Sequence, residues 1–382
     1  MIKSKVALIR CDSYDKEQVY EAVNRGVALL GGITAFVKPG EKIVLKPNLL
    51  ISAHPDKCVT THPSIFRAVG LLLKQGGAVV SYGDSPSVGS LEFTARGAGL
   101  KRVADELGIE TADFSHGREV SHPKALLNKR FTLANAVLDA DGLVSLPKLK
   151  AHGLTRLTGA VKNQFGCVPG ILKGQFHAKM ADPFDFATML VDINTYLRPR
   201  LYVMDAVMAM EGNGPRNGQP RRMNAIMLSA DPIAIDAVAC KMVDLNPEFV
   251  PTSKPGETSG LGTYHYDNIE VVGESIEPFI VRDFDVVREP PVPEAGGPVR
   301  QFIKNKFTPR PVIERTKCSS CGTCIEMCPV GHTALDWMRL EAGKVPKHDY
   351  NRCIRCYCCQ EVCPEGAITI ENPLLGKLVF RS

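Results

Sequence analysis

Short apolar segments alternate with helical patterns over most of this chain. The strand-like segments are rich in β-branched residues and fall at 6–9, 42–45, 78–82, 142–146, 201–204 and 225–228. Between them, apolar residues recur at helical spacing, as at Val19, Val23 and Val27. Further along, Asp231 is predicted to cap a helix that begins at Pro232, which explains this aspartate without a functional role. Strands that alternate with helices predict an α/β body with a mainly parallel sheet.

A proline-rich stretch separates this body from the end of the chain. Six prolines lie within 288–312, which excludes a long helix or a central strand there. Residues 288–317 carry seven basic and three acidic side chains. We therefore expect an α/β body at 1–287, a semi-rigid basic linker at 288–312 with a short basic helix near 299–307, and a small α+β domain with a C-terminal tail at 313–382.

Composition narrows the class of protein. Of the 382 residues, 44% are hydrophobic and 23% are charged, which excludes disorder over most of the length. No uncharged apolar run is long enough to span a membrane, and charged residues interrupt the N-terminus too early for a signal peptide. The net charge of +5 is modest, and nothing indicates nucleic-acid binding. These features predict a soluble, cytoplasmic protein.

Nine of the 13 cysteines crowd into 318–363, and eight of them form two matching C-x2-C-x2-C-x3-C-P runs. The cysteines of the two runs are Cys318, Cys321, Cys324 and Cys328, then Cys353, Cys356, Cys359 and Cys363. This spacing resembles that of bacterial two-cluster ferredoxins, in which the fourth cysteine of each run ligates the other cluster. Disulfides are not expected in a cytosolic chain, and zinc sites usually have a longer spacer between paired cysteines.

The resemblance predicts a two-[4Fe-4S] ferredoxin domain over residues 313–372. One cluster is expected on Cys318, Cys321, Cys324 and Cys363, and the other on Cys353, Cys356, Cys359 and Cys328. Cys358 breaks the spacing and is interpreted as a bystander, whereas the four earlier cysteines are expected to be buried small hydrophobic residues. The sequence leaves open whether a flavin or a further metal is present.

Charged and amide side chains follow directly after several strand-like segments of the body. Ligands of open α/β sheets bind beyond the carboxyl ends of the strands, so parallel neighbours would bring these groups together. The candidate catalytic residues are His152, Lys150 and Asp84. The candidate substrate-binding or cofactor-binding residues are Lys46, Asn48, Ser85, Lys148, Lys162, Asn163, Glu211 and Asn213.

The mixture of lysines and carboxylates suits a small anionic substrate. His152 is the first choice of proton donor, because imidazole titrates near neutral pH. The residues expected to line one pocket are Lys46, Asp84, Lys148, Lys150, His152 and Lys162. Each motif also has a purely structural interpretation, since Gly83–Pro86 is typical of a turn and Lys46–Asn48 of a strand end.

Several motifs of the body together resemble the bacterial and archaeal family catalogued as domain of unknown function 362. These motifs are Lys46-Pro47-Asn48, Gly83-Asp84-Ser85-Pro86, Lys148-x-Lys150, Val161-Lys162-Asn163, Phe165-Gly166, Pro169-Gly170 with His177, and Asp231-Pro232 with Asp236-Ala237. Members of this family often carry a C-terminal [4Fe-4S] ferredoxin domain. The resemblance implies the architecture and the iron–sulfur cofactor, and it implies no particular substrate.

Three functions remain open from the sequence. The first is an iron–sulfur oxidoreductase of anaerobic metabolism, in which electrons pass through two clusters to an anionic substrate or second cofactor in the body. The second is a non-enzymatic electron-transfer subunit that docks on a larger complex through the basic linker. The third is a non-redox body whose clusters sense oxygen or stabilise the structure. The expected partners are an electron donor or acceptor protein and a second copy of the chain, and fold alone does not decide among the three.

Overall fold

The computed structural model describes residues 3–170, 172–291, 304–340 and 343–373. Twelve of its strands lie in the body, ten of them in one sheet. These strands are β1 (Ser4–Arg10), β2 (Lys42–Pro47), β3 (Val79–Tyr82), β4 (Glu110–Thr111), β5 (Gly117–Ser121), β6 (Arg130–Ala134), β7 (Gly142–Leu146), β8 (Lys148–His152), β9 (Arg156–Thr158), β10 (Leu201–Glu211), β11 (Gln219–Ser229) and β12 (Ile269–Gly273).

Helices cover both faces of the large sheet, and β5 and β6 form a separate two-stranded sheet. The described helices of the body are α1 (Lys16–Leu29), α2 (Pro63–Gln75), α3 (Leu91–Gly97), α4 (Leu100–Leu107), α5 (Asn135–Leu138), α6 (Ala160–Asn163), α7 (Leu172–Lys179), α8 (Pro183–Leu197), α9 (Pro232–Met242) and α10 (Ser253–Thr258).

The large sheet is mostly parallel, as the sequence predicts. Its strand order is β12-β1-β11-β10-β7-β2-β3-β4, with β8 paired to both β10 and β9. All six strand-like segments of the sequence lie in strands of this sheet. The antiparallel pairs are β1 with β11, β10 with β11, and β8 with β9. Because β2, β3 and β7 are parallel neighbours, the loops after β2 and β3 emerge at the same edge.

Side-chain alternation along β1 shows how the sheet separates two cores. Val6 and Leu8 pack in one hydrophobic cluster, and Ala7 and Ile9 pack in the cluster on the opposite face. The helices begin at capping residues. Asp231 accepts hydrogen bonds from two backbone N–H groups at the start of α9, so its predicted role as a helix cap is confirmed.

The C-terminal part, here called the ferredoxin domain, is a small α+β unit. Its described elements are β13 (Arg310–Ile313), α11 (Thr323–Glu326), β14 (Leu335–Leu340), β15 (Gly343–His348), α12 (Cys358–Val362) and β16 (Ile368–Glu371). β13 pairs with β16 and β14 with β15, both antiparallel. Of the proposed linker, 292–303 lie outside the described residues, and 304–307 are helical. Among the described helices, none has the length and apolar character needed to cross a membrane.

Candidate functional site

Four of the eight predicted cluster cysteines surround one small cavity. Cys318, Cys321, Cys324 and Cys363 line a space of about 330 Å³ within the ferredoxin domain. Burial raises the pKa of Cys324 to about 12, and the other three thiols of this set raise it further. The structure therefore brings together three cysteines of the first run and the last cysteine of the second run.

The other four cysteines form a second group. Burial raises the pKa of Cys328, and repulsion from Cys356 and Cys353 adds to the rise. Burial also raises the pKa of Cys359, where Cys356 and Cys353 contribute next. No disulfide joins any of the thirteen cysteines, and no three Cys, His, Asp or Glu side chains of the described residues converge tightly enough to hold a single metal ion. Two separate sets of four sulfur donors fit two four-iron clusters better than zinc.

The two cysteine loops share an unusual backbone conformation. The residues on either side of the second cysteine have positive φ in both runs: Ser320 and Gly322 around Cys321, and Arg355 and Tyr357 around Cys356. Only one of these four residues is glycine, so three side chains adopt a conformation that is sterically unfavourable. The matching conformation indicates that both loops are shaped for the same purpose.

A larger cavity of about 820 Å³ lies where the body meets the ferredoxin domain. The body contributes the loops after β2 and β3, the end of β9, α6 and α7. The ferredoxin domain contributes Met327, Cys358, Glu361 and Val362. Three of these four residues belong to α12, which also contains Cys359 and is followed directly by Cys363. Part of the cavity wall is therefore a helix that contains one ligand of one proposed cluster and ends directly before a ligand of the other.

A buried ion pair forms the floor of the cavity. Nζ of Lys46 lies 2.9 Å from Oδ1 of Asp84, and both side chains are almost fully buried. Asp84 also accepts hydrogen bonds from the backbone N–H groups of Leu49 and Ser85. A Cβ at Gly166 would lie only 1.7 Å from Asp84 Oδ1, so only glycine permits the backbone to approach this pair.

Amide side chains connect this floor to the neighbouring strands. Lys150 donates to Oδ1 of Asn48 at 2.7 Å and to the carbonyl of Val59 at 2.8 Å. Asn48 in turn donates to Asn163, which donates to the hydroxyl of Ser145. Burial lowers the pKa of Lys150 well below its usual range. Lys150 lies beneath the cavity, whereas Asn48 and Asn163 form part of the cavity lining.

Glu361 brings a carboxylate from the ferredoxin domain into the site. Its Oε1 lies 3.0 Å from Nε2 of His152, and both side chains are buried. Nδ1 of His152 accepts from the backbone N–H groups of Leu154 and Thr155, which places the proton of the neutral ring on Nε2. Burial lowers the pKa of His152 to about 4. His152 therefore lies behind Glu361 as a neutral partner and does not line the cavity.

Lys162 and His177 face the same cavity from α6 and α7. Burial acts to raise the pKa of Glu361. The charge of Lys162 and the interactions with His152 and His177 outweigh burial and lower this pKa to about 2. The His177 ring stacks on Phe186 at a centroid distance of 4.4 Å and meets Phe165 edge-on. Burial lowers the pKa of His177 to about 4, so its ring is neutral at pH 7.

Lys173 closes another side of the cavity. Its ammonium donates to the carbonyl and hydroxyl oxygens of Ser85 at 2.6 and 2.7 Å, and to the carbonyl of Pro86 at 3.2 Å. The hydroxyl of Ser85 also accepts from the N–H of Gly170. Burial lowers the pKa of Lys173 to about 8, which leaves it mostly charged at pH 7. Lys173 therefore ties α7 to the loop after β3.

Lys148 points away from this cavity. Its Nζ lies 2.9 Å from Oδ2 of Asp205 and donates to the hydroxyl of Tyr14, which also donates to Asp205. Asp205 lies within β10, which continues past it through a register shift between Ala206 and Met208. This closed network stabilises the sheet at a distance from the cavity.

Glu211 and Asn213 also lie outside the cavity. Glu211 accepts from the N–H of Asp285. Asn213 belongs to the β10–β11 hairpin loop, where it donates to the carbonyl of Ile368 and accepts from Gln360 of α12. In the same loop, Asn217 donates to the carbonyl of Cys363. This loop holds the ferredoxin domain against the body.

Six of the eleven candidate body residues therefore lie on the cavity or in its floor pair, namely Lys46, Asn48, Asp84, Ser85, Lys162 and Asn163. Lys150 and His152 lie behind it, and Lys148, Glu211 and Asn213 lie elsewhere. Sequence reasoning missed Glu361 and Lys173. Cys358, interpreted from the sequence as a bystander to the clusters, lines the cavity. No sequence pattern marks Glu361, because its position depends on how the two domains dock.

Comparisons with known proteins identify two families in this chain. The model described as "Domain of unknown function (DUF362)" matches 43–241, and that of the 4Fe-4S dicluster domain matches 317–367. Among curated proteins, the "Thylakoid-associated protein sll1697" of Synechocystis sp. is 36% identical over 262 residues, which is 68% of this chain and 81% of that protein.

Two solved structures also show similarity. The lactate racemase apoprotein from Thermoanaerobacterium thermosaccharolyticum has a TM-score of 0.40 and 11% identity over 63% of this chain. A Thermotoga maritima protein has a TM-score of 0.34 and 12% identity over 57% of this chain. The chain spans 56% of each of these structures. Both similarities are too distant to inform the function.

Proposed function

The chain belongs to the DUF362 family, and from this membership and its 4Fe-4S dicluster domain we propose an iron–sulfur oxidoreductase that acts on a small anionic substrate or second cofactor. The observation that carries the proposal is that α12 forms part of the cavity wall. Cys358, Glu361 and Val362 face the cavity, and Cys359 and Cys363 are assigned to the two clusters. When bound by the eight cysteines, the two clusters would supply single electrons next to the cavity.

Positive charge from the body supports the anionic character of the ligand. Lys162 lines the cavity, and its ammonium group makes no hydrogen bond or ion pair closer than 4 Å with any residue that the structure describes. An ammonium group that faces a partly enclosed cavity attracts an anion more strongly than one in bulk water. Lys46 is already neutralised by Asp84, so its role is to fix the floor. Lys162 is therefore the proposed anion-binding residue.

His152 has a positioning role in this proposal. It does not line the cavity, and its ring faces the cavity through Glu361. Its Nδ1 is fixed by two backbone N–H groups, so the ring cannot turn without losing both hydrogen bonds. We infer that His152 orients the carboxylate of Glu361 towards the ligand. A direct proton donation from His152 to the substrate, which the sequence suggested, would require the two domains to separate.

An electron-transfer partner is also part of the proposal. Cys321 is exposed, whereas Cys356, Cys359 and Cys363 are buried. The cluster assigned to Cys321 would therefore have an edge near the surface, where a donor or acceptor protein can approach. The same feature favours the second candidate function, an electron-transfer subunit without chemistry of its own.

Anaerobic reoxidation distinguishes the two functions. The full chain with both clusters is reduced with a low-potential chemical reductant, excess reductant is removed, and candidate organic anions are added while the visible absorbance is followed. An oxidoreductase should be reoxidised by at least one anion, and Lys162→Met should slow this by about tenfold. Lys179→Met, which changes an exposed lysine on α7 outside the cavity, is the matched control. Reoxidation by a protein acceptor but by no small anion would favour the electron-transfer subunit.

A further inference from the structure

Two buried polar groups around the cavity lack hydrogen-bond partners among the described residues. They are Oγ1 of Thr158 and Nδ1 of His177, and the two side chains are 3% and 6% exposed as residues. Both residues line the same cavity. A buried polar group without a partner is costly, and most such groups in folded proteins are paired. Their convergence indicates a ligand that presents both hydrogen-bond donors and acceptors.

The charges around the cavity define the ligand further. Asp84 is neutralised by Lys46 at 2.9 Å. The remaining charged side chains that line the cavity are Lys162, Lys173 and Glu361, which leave a surplus of one positive charge. Lys173 already donates to three oxygens of Ser85 and Pro86. Lys162 is therefore the ammonium available to an anionic group. Oε1 of Glu361 faces Nε2 of His152, so the second carboxylate oxygen of Glu361 is the one available to accept a hydrogen bond from the ligand.

We propose that the cavity binds a small monoanionic hydroxy acid, with its carboxylate on Lys162 and its hydroxyl donating to Glu361. This inference rests on the proposed function and names the substrate class of the same site. A dicarboxylate would place its second negative charge against Glu361. A simple carboxylate would leave the second oxygen of Glu361 without a donor, and a zwitterionic amino acid would leave the surplus positive charge unbalanced.

The carbon skeleton of the ligand has an apolar surface to contact. Phe165 from the body and Met327 and Val362 from the ferredoxin domain line the cavity together with Cys358. The polar groups thus hold one end of the ligand, and the apolar residues next to the cluster helix contact the other.

Binding measurements with four probes of equal carbon number test this inference. Calorimetric titrations of the full chain, with both clusters in place and without oxygen, compare 2-hydroxybutyrate, butyrate, 2-aminobutyrate and succinate. We expect 2-hydroxybutyrate to bind at least about tenfold more tightly than the other three, which corresponds to about 1.4 kcal/mol. Equal or tighter binding of butyrate or succinate would overturn the assignment of a hydroxy acid but leave the anionic substrate in place. No binding of any probe would overturn both.

Variants identify the groups responsible. Glu361→Gln should bring the affinities for 2-hydroxybutyrate and butyrate within about threefold of each other, and Glu361→Asp should retain a clear preference for the hydroxyl. Lys162→Met should weaken both ligands by about tenfold, and Lys179→Met should change neither. Iron content is measured first, because Glu361 lies between two cluster cysteines. If Glu361→Gln loses iron, the relative affinities of the unmodified chain for the four probes decide whether the ligand is a hydroxy acid. An unchanged preference in an iron-replete Glu361→Gln variant would overturn the role of Glu361.

Discussion

Replacing Asp84 by Asn tests whether the buried ion pair at the cavity floor contributes to stability. Asp84 is the carboxylate of the pair with Lys46, whose side chain is completely buried. The substitution keeps the size of the side chain but removes its charge. Among the described residues, Lys46 then retains two neutral hydrogen-bond partners. They are the carbonyl of Pro47 at 3.3 Å and the amide oxygen of Asn163 at 3.5 Å.

The expected loss follows from the burial of both partners. Removing one member of a buried ion pair costs about 3–5 kcal/mol, because the remaining charge stays desolvated. The carboxylate also accepts hydrogen bonds from Leu49 and Ser85, and an amide has only one oxygen for these two donors. We therefore expect Asp84→Asn to lower the free energy of unfolding of the body by about 3–5 kcal/mol.

A double variant separates the charge from the packing. Lys46→Met in the Asp84→Asn background removes the uncompensated charge and keeps an unbranched side chain of similar length. Replacing both members of a buried pair by neutral groups is often close to neutral, so the double variant should be more stable than Asp84→Asn alone. Urea unfolding followed by circular dichroism, at matched iron content, measures the three stabilities. A loss below about 1 kcal/mol for Asp84→Asn, or a double variant that is less stable still, would refute the reasoning.

Three further predictions concern the clusters, the pH dependence and the domain division. Cys358→Ala should retain about eight irons per chain, whereas Cys359→Ala should lose one cluster; equal iron loss in both would contradict the ligand assignment. Between pH 6.5 and pH 4 the unfolded chain binds a proton at His177 that the folded chain does not. As the pH decreases to about 5, this group alone should therefore lower the free energy of unfolding by about 2 kcal/mol. Urea midpoints at both ends of this range should show a smaller fall for His177→Asn, and an unchanged fall would contradict the burial of the neutral ring. A chain that ends near Glu289 should give a folded, colourless α/β body; an aggregated or molten product under reducing conditions would show that the body needs the ferredoxin domain.

Local pattern predicted most of the fold. The six apolar segments identified strands, and their alternation with helices identified a mostly parallel sheet, because each element must bury one face in a shared core. The pattern did not locate the end of β10. Apolar and polar residues both continue beyond Met204, and whether a strand ends there depends on its pairing with β11. Glu211 and Asn213 were for this reason expected at the cavity, although they lie outside it.

The sequence predicted the positions of site residues only where the ends of neighbouring strands determine them. Lys46 lies near the end of β2 and Asp84 follows β3 closely. Because these strands are parallel neighbours, the proximity of the two residues follows from topology alone. The spacing of two along β8 predicts that Lys148, Lys150 and His152 share one face of the strand, and it gave no indication that none of the three lines the cavity. Glu361 is separated by about 200 residues from the groups that surround it, and only the packed structure reveals this contact.

Because both domains line the cavity, ligand binding there is linked thermodynamically to the docking of the two domains. Met327, Cys358, Glu361 and Val362 form the wall opposite the body, so a ligand in the cavity contacts both domains at once. Any such ligand must strengthen the docking of the ferredoxin domain by the same factor by which docking raises its affinity. Docking itself depends on polar contacts from the β10–β11 loop, in which Asn213 and Asn217 bind the backbone of the cluster-bearing domain. Binding of the proposed ligand and the position of the proposed clusters would therefore be coupled through one interface, because the wall that docking completes includes α12, which contains Cys359 and ends directly before Cys363.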